Sequence, residues 1–305
     1  MRPIISSIFC ALALFCSLSS ANAVTIFGSA EIGGGPATLY DIDPNTGVAT
    51  PIGAGIGFNR VGGIDFNPNS GTLYGVGVNT STDTFDLITI NTMTGVGTSV
   101  GNTGLGFAFQ DINFRSDGTL WAYAGSNIYT LNLATGAATL VGFIGGSGNP
   151  PGTGNALGFD GMDTLYRLSG ADIYTINQND GVATDTGMNV DYPVDLVNPR
   201  TNAMDYDSAS GLFYASVIHS VPGERPGSVT GANFIAQIDI ATGDVSNAHS
   251  TIAGLDALAV QPMQATPTPP NGNGVPEPMS TLWLLPIFIG LAACRRRGAP
   301  AECAR

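Results

Sequence analysis

One eight-residue pattern recurs five times through the middle of this chain, and it constrains the fold more than any other feature. The five segments are Tyr40-Asp-Ile-Asp-Pro-Asn-Thr-Gly47, Ile88-Thr-Ile-Asn-Thr-Met-Thr-Gly95, Tyr129-Thr-Leu-Asn-Leu-Ala-Thr-Gly136, Tyr174-Thr-Ile-Asn-Gln-Asn-Asp-Gly181 and Ala236-Gln-Ile-Asp-Ile-Ala-Thr-Gly243. Their glycines are spaced by 48, 41, 45 and 62 residues. Five positions before each glycine stands Ile42, Ile90, Leu131, Ile176 or Ile238, and four before stands Asp43, Asn91, Asn132, Asn177 or Asp239. Three positions after comes a hydroxyl: Thr50, Thr98, Thr139, Thr184 or Ser246. Asp and Asn hydrogen-bond the backbone of a tight loop, and glycine supplies the left-handed φ that closes it. The alternation ahead of the turn predicts a strand with one face buried. Each repeat therefore reads as strand, turn, strand.

A second hairpin precedes all but the first of these. Ile64-Asp-Phe-Asn-Pro-Asn-Ser-Gly-Thr-Leu-Tyr74 recurs as Ile112 to Trp121, Leu157 to Tyr166 and Met204 to Phe213. Two hairpins make a four-stranded unit of about 45 residues, the size of a β-propeller blade. The first unit lacks its first strand, having room only for Thr25 to Ala30 before the turn. Leu255-Asp-Ala-Leu-Ala-Val260, after the fifth turn, is a spare strand that resembles Ile64-Asp-Phe. Its pairing into the first unit would close the ring and remove open edges. The expectation is all-β: a five-bladed propeller of four-stranded blades over residues 24–260, closed by the last strand. The 62-residue interval, with the irregular stretches Met188 to Arg200 and Ser220 to Gly231, leaves loops or a degenerate sixth blade open. A β-sandwich or β-solenoid is the rival architecture. In its repeats the domain also resembles a broad group of bacterial propeller proteins, a likeness that bears on fold and not on function.

No catalytic constellation stands out. The two histidines, His219 and His249, have no Gly-x-Ser-x-Gly elbow beside them, and surface or loop placement accounts for them. There is no His-Glu-x-x-His, Walker loop or dinucleotide fingerprint. Ile32-Gly-Gly-Gly-Pro36 reads as a turn. Asp205-Tyr-Asp207-Ser-Ala-Ser-Gly211 has the look of a calcium loop, but Ser216 stands where an EF-hand needs its twelfth-position acid, so an Asx turn fits better. Asp191 and Asp195 are a possible acid pair that nothing in their spacing singles out. The aromatics Tyr40, Tyr74, Trp121, Tyr123, Tyr129, Tyr166, Tyr174 and Tyr214 suit a sugar-binding face, but their equivalent repeat positions favour blade packing. No catalytic residue, metal or cofactor is expected.

Composition narrows the partners. The four cysteines are Cys10, Cys16, Cys294 and Cys303, so residues 24–274 have none, which excludes disulfides and thiolate chemistry there. That span holds five arginines and no lysine against 21 acidic residues, a formal charge of −16. Phosphate backbones repel such a surface, so nucleic acid is not an expected partner.

The ends of the chain carry addresses. Arg2, the apolar run Ile4 to Leu18 and Ala21-Asn22-Ala23 make a signal peptide over 1–23, with signal peptidase cutting after Ala23. Residues 261–274 form a Pro/Thr/Gly linker. Pro276-Glu277-Pro278 follows, then the apolar segment Thr281 to Cys294, then Arg295-Arg296-Arg297. At about 1.5 Å per residue the apolar helix falls short of the ~30 Å hydrocarbon core without its flanks. The arginines should stay cytoplasmic, leaving the domain outside. Over its last thirty or so residues the chain resembles the PEP-CTERM sorting domains of Gram-negative bacteria, although Gly298 to Arg305 extends beyond the usual end. The resemblance implies recognition of Pro276, Glu277 and Pro278 by an exosortase. It also implies tethering to the inner membrane before processing, and residence in the envelope or exopolysaccharide matrix afterwards. The expected role is non-enzymatic binding or structure. The alternative is a polysaccharide hydrolase or lyase with polar side chains converging in the propeller channel.

Overall fold

The computed structural model describes residues 24–32, 35–145, 155–194, 196–220 and 233–262. The signal peptide with Ala21 and Ala23, most of the linker, Pro276 to Pro278, the 281–294 segment and Arg295 to Arg297 lie outside them. So do Asp195 and most of the Ser220 to Gly231 stretch.

Among the described residues every regular element is a strand, and the strands form five four-stranded antiparallel sheets. Blade 1 contains β1 (Ile26–Ala30), β2 (Thr38–Ile42) and β3 (Ala49–Ile52). Blade 2 contains β4 (Asn59–Phe66), β5 (Leu73–Asn79), β6 (Thr84–Ile90) and β7 (Gly97–Asn102). Blade 3 follows with β8 (Phe109–Phe114), β9 (Leu120–Ala124), β10 (Asn127–Leu131) and β11 (Ala138–Phe143). Blade 4 has β12 (Leu157–Phe159), β13 (Leu165–Ser169), β14 (Asp172–Ile176) and β15 (Ala183–Asn189). Blade 5 has β16 (Val197–Asp207), β17 (Leu212–Ser220), β18 (Asn233–Ile238) and β19 (Val245–Thr251).

The last strand, β20 (Leu255–Val260), pairs antiparallel with β1, Ile26 opposite Val260, and completes blade 1 from the inside. Neighbouring inner strands β20, β4, β8, β12 and β16 touch one another around the ring. In the long fifth interval the strands β16 and β17 are extended, at 11 and 9 residues, and residues 221–232 lie outside the described ones. The described residues form no sixth sheet.

The core is divided among the interfaces. One apolar cluster fills the space between each pair of adjacent blades: Phe27, Ile64 and Phe66 between blades 1 and 2; Val76, Leu87 and Ile112 between 2 and 3; Trp121, Leu157 and Phe159 between 3 and 4; Leu168, Met204 and Phe213 between 4 and 5; Ile26, Tyr214 and Leu258 between 5 and 1. The inner strands and the strands next to them therefore pack on both faces over much of their length. β1 and β9 are buried at every position, while the outermost β15 is almost wholly exposed. One-sided burial, expected from the alternation, belongs only to the outer part of each blade.

The recurring turn glycine sits at a second kind of contact. Gly47, Gly95, Gly136, Gly181 and Gly243 all have φ between +74 and +83 or, at Gly95, +72. Each abuts the outermost strand of the preceding blade or the residue beyond it. A Cβ on Gly95 would lie 2.2 Å from the Ile52 carbonyl oxygen, and one on Gly243 would lie 1.9 Å from that of Asn189. Glycine is required there by conformation and by space at once.

Candidate functional site

The inner strands surround a channel whose two ends are built differently. At the end where these strands finish, Asp65, Asn113 and Asp205 occupy equivalent positions on β4, β8 and β16, each one residue before an aromatic. Each side chain reaches the backbone of the next blade. Asp65 accepts from the N–H of Phe66 (2.6 Å) and, across the interface, from that of Phe114 (2.5 Å). The Asn113 oxygen accepts from Phe159 N–H at 2.8 Å. Asp205 accepts from Tyr206 N–H (2.8 Å), Asn113 Nδ2 (3.1 Å) and Val260 N–H of blade 1 (2.7 Å). Asp111, two residues earlier on β8, bridges in the same way to Ile112 N–H and Leu157 N–H, both at 2.9 Å.

These acids are buried, Asp111 completely. Burial pushes the Asp111 carboxyl well above the ordinary range. Burial, and then the charge of Asp205, do the same to Asp65. Burial raises Asp205 to about 6. Asp65 and Asp205 act on each other in opposite senses: Asp205 favours the neutral form of Asp65, and Asp65 favours the charged form of Asp205. Two carboxylates in one dry space do not readily both ionise; each accepts two backbone N–H bonds, and Asp205 has the Asn113 amide as an additional donor.

The fourth and fifth positions of this ring break the pattern. Blade 4 has Gly158, where a Cβ would fall 2.8 Å from the Phe213 ring and 3.2 Å from Met204 Cγ. Blade 1 has Ala259. Val260 receives Asp205 as Phe114 receives Asp65, so Ala259 is the counterpart of Asp65. The likeness of Leu255-Asp256 to Ile64-Asp65 is thus corrected by three residues, and Asp256 faces the opposite end. The alignment misled because apolar-Asp-apolar also describes a bulged strand start.

That opposite end, where the inner strands begin, is an open cavity of about 450 Å³ lined by Glu31, Arg60, Gly62, Phe109, Gln110, Asn155, Asn202 and Asp256, among others. Gly62, Gln110, Asn155, Asn202 and Asp256 stand at one repeat position, four residues before Phe66, Phe114, Phe159, Tyr206 and Val260. Strict alternation would bury this position between blades. Instead, the register shifts at this point in four inner strands: between Asn59 and Gly63, Phe109 and Asp111, Thr201 and Ala203, and opposite Ser29 and Ala30 on β1. A β-bulge re-aims the side chain it inserts. Val61, Phe109 and Leu255, one residue earlier, fill the apolar clusters, and the bulged residues line the mouth.

The mouth is ordered by hydrogen bonds. Asn155 Nδ2 donates to Asn202 Oδ1 at 2.8 Å, and Asn202 Nδ2 donates to Asp256 Oδ1 at 3.1 Å. Gln110 Oε1 accepts from Gly125 N–H at 3.0 Å. Arg60 has φ +51, unusual for a side-chain-bearing residue, and its N–H donates to Glu31 Oε2 at 2.8 Å. Its guanidinium lies 5.6 Å from the Phe85 ring centre, and Phe85 packs on Phe109 at 6.2 Å. Burial raises the Asp256 carboxyl, opposed by Asn202 and by Arg200, whose own guanidinium is lowered by burial and favoured by Asp256.

Other candidates disperse. His219, on β17, lies against Phe234 with ring centres 5.6 Å apart, and His249 is on the outer strand β19. Asp191 forms an isolated bridge with Asp244. Asp207 closes its turn by accepting from Ala209 and Ser210 N–H, while Asp205 faces the channel, so the two do not converge on a cation. Ser216 donates to Leu255 O at 2.9 Å and ties blade 5 to β20. Among the described residues no three metal-ligating side chains cluster. The repeat aromatics pack in the interfaces, as Trp121 does on Phe159 and Tyr74 on Phe114.

No family model and no curated protein matches the chain. Solved structures similar to it include TolB from Acinetobacter baumannii, with 16% identity, a TM-score of 0.43 and coverage of 73% of this chain and 52% of that one. A Bacteroides ovatus protein, "Xyloglucan PUL GH43B", shares 14% identity with a TM-score of 0.47 over 70% of this chain and 51% of that one. A putative 6-phosphogluconolactonase from Bacteroides uniformis shares 12% at a TM-score of 0.38, over 73% and 81%. The chain spans about half the length of the first two. At such identities the likeness concerns the fold alone.

Proposed function

We propose that this chain is an exported surface or extracellular-matrix protein, sorted by an exosortase and associated with exopolysaccharide in a non-enzymatic role. The order of signal peptide, Pro276-Glu277-Pro278, apolar segment and arginine cluster supports the destination. The non-enzymatic part rests on one observation: the carboxylates that converge in the channel accept hydrogen bonds from the backbone of neighbouring blades. A general acid or base must reach a substrate proton. Here the carboxylate oxygens face amides of the scaffold.

The test is the intact mass of the protein recovered from its native host, with cells and medium fractionated. A C-terminus near Pro276 to Pro278 in the envelope or medium supports the reading. A full tail through Arg305, found only with the inner membrane, defeats it.

A second reading, a polysaccharide hydrolase, has the buried acids Asp65 and Asp205, which influence each other's charge, in its favour, since glycoside hydrolysis uses paired acids. Release of reducing ends from the host's own polysaccharide, abolished by Asp65→Asn, would establish it over the first.

A further inference from the structure

We propose that the mouth formed by Arg60, Gln110, Asn155, Asn202 and Asp256 binds a neutral sugar residue of an extracellular glycan. The inference rests on the polysaccharide-associated reading above and gives it a site.

Three observations carry it. The first is the repeated bulge. One repeat position at the start of the inner strands lines a single cavity, turned out by a bulge at Gln110, Asn202 and Asp256 and standing just ahead of β12 at Asn155, so it is polar in four blades of five. A propeller needs no such residues to close, because the interblade clusters and the opposite end already hold the ring.

The second is the local charge. The domain is strongly acidic, yet Arg60 lines this mouth with Glu31 and Asp256, and Arg200, outside the lining, is near enough to Asp256 for each to favour the other's charged form. Two acids against two arginines leave it near neutrality. Neither an anion nor a cation is selected. What remains is a set of planar amides, a carboxylate and a guanidinium, donors and acceptors held in fixed directions. Hydroxyls, which both donate and accept, match that set.

The third is the apolar surface beside it. Phe109 lines the cavity, and the ring of Phe107, 40% exposed, packs over Gly125, whose N–H is bonded to Gln110. A pyranose presents C–H faces as well as hydroxyls, so an exposed ring next to a polar cradle suits it better than a fully polar solute. The cavity volume of about 450 Å³ is within the span of small-molecule sites. Arg60 is the strained member. Its left-handed backbone is held by Glu31 and its guanidinium is oriented over Phe85, an arrangement that costs stability and places a donor at the rim.

The experiment titrates the full-length protein with maltotriose, cellotriose and mannotriose, with trigalacturonate and triglycine as controls, by ligand-observed NMR. At least one neutral trisaccharide should bind at about 10 mM or below, and the controls about tenfold more weakly. Arg60→Gly, Asn155→Ala and Phe107→Ala should each weaken binding about tenfold. All three sites are incompletely buried, and glycine accommodates φ +51, so the melting temperature should hold. The proposal is overturned if no neutral trisaccharide binds, if trigalacturonate or triglycine binds as well, or if the three variants bind like the parent. The native intact mass is unaffected by any of these outcomes, so failure here is distinguishable from failure of the export reading.

Discussion

The two ends of the channel use the same kinds of side chain for opposite purposes. Where the inner strands finish, Asp65, Asn113 and Asp205 are regular strand residues that turn toward a neighbouring blade and bond its backbone. Where the strands begin, Gln110, Asn202 and Asp256 are bulged residues that line open space, Asn202 donating to Asp256 and Gln110 accepting from the Gly125 N–H of its own blade. Convergence of polar groups is therefore not enough to mark a site. What distinguishes the ends is whether the groups accept hydrogen bonds from the backbone N–H groups of a neighbouring blade.

The contrast can be broken most forcefully at Asp205. Asp205→Ala leaves Val260 N–H and Asn113 Nδ2 buried without their acceptor, which should cost about 3–5 kcal/mol and lower the melting temperature by about 10 °C. A loss under 1 kcal/mol in chemical denaturation would mean the bond is incidental.

A smaller loss is expected where the ring has no such bond. Gly158→Ala puts a Cβ against Phe213 and Met204, and repacking should cost about 1–3 kcal/mol. Its effect should be independent of pH, since no titrating group is touched.

Wild-type stability, by contrast, should depend on pH. The Asp205 carboxyl titrates at about 6 in the fold, above its ordinary value of 3.8. The folded state therefore holds its proton more tightly than the unfolded chain. The stabilisation is complete below the unfolded value and is lost as pH rises through about 6. Between about pH 5 and 7.5 this one group should remove about 1–2 kcal/mol, or about 3–6 °C in thermal unfolding. Asp65 and Asp111 act in the same direction. Exposed acids held low by hydrogen bonds, such as Asp43 and Asp117, act oppositely but below the ordinary carboxylate range. A melting temperature that climbs over this interval would contradict the account.

The smallest effect belongs to the mouth. Arg60→Gly relieves a left-handed backbone and should change stability by less than about 1 kcal/mol, with a gain the more natural sign. A large loss would mean that the mouth, too, is scaffold.

Much of the architecture was legible because the outer turn is under several constraints at once. Gly95 and Gly243 need a positive φ and no Cβ, so the repeat that reports them also reports the blade. Leu255 to Val260 could be recognised as a closing strand because nothing else in the chain was left to complete the first unit. The channel was harder to read. Asp65, Asn113 and Asp205 are visible in the second repeat, but a residue before an aromatic and a turn looks like part of the turn. Only the ring places Phe114, Phe159 and Val260 within their reach. The mouth was hidden by the bulges. Counting in twos from Phe114 or Tyr206 assigns Gln110 and Asn202 to the apolar faces, and one inserted residue reverses that assignment. A polar residue four places before each of Phe114, Phe159, Tyr206 and Val260 was the available signal.

The most direct test of the difference between the ends is hydrogen exchange at the backbone amides of Phe114, Phe159 and Val260, measured in the wild type and in Asp205→Ala. The account predicts that all three are strongly protected in the wild type. In the variant, Val260 should lose protection about a hundredfold more than Phe114, because of these three amides only Val260 donates to Asp205. Equal protection of Val260 in the two proteins would show that Asp205 does not hold the ring and would return the channel acids to candidacy for chemistry.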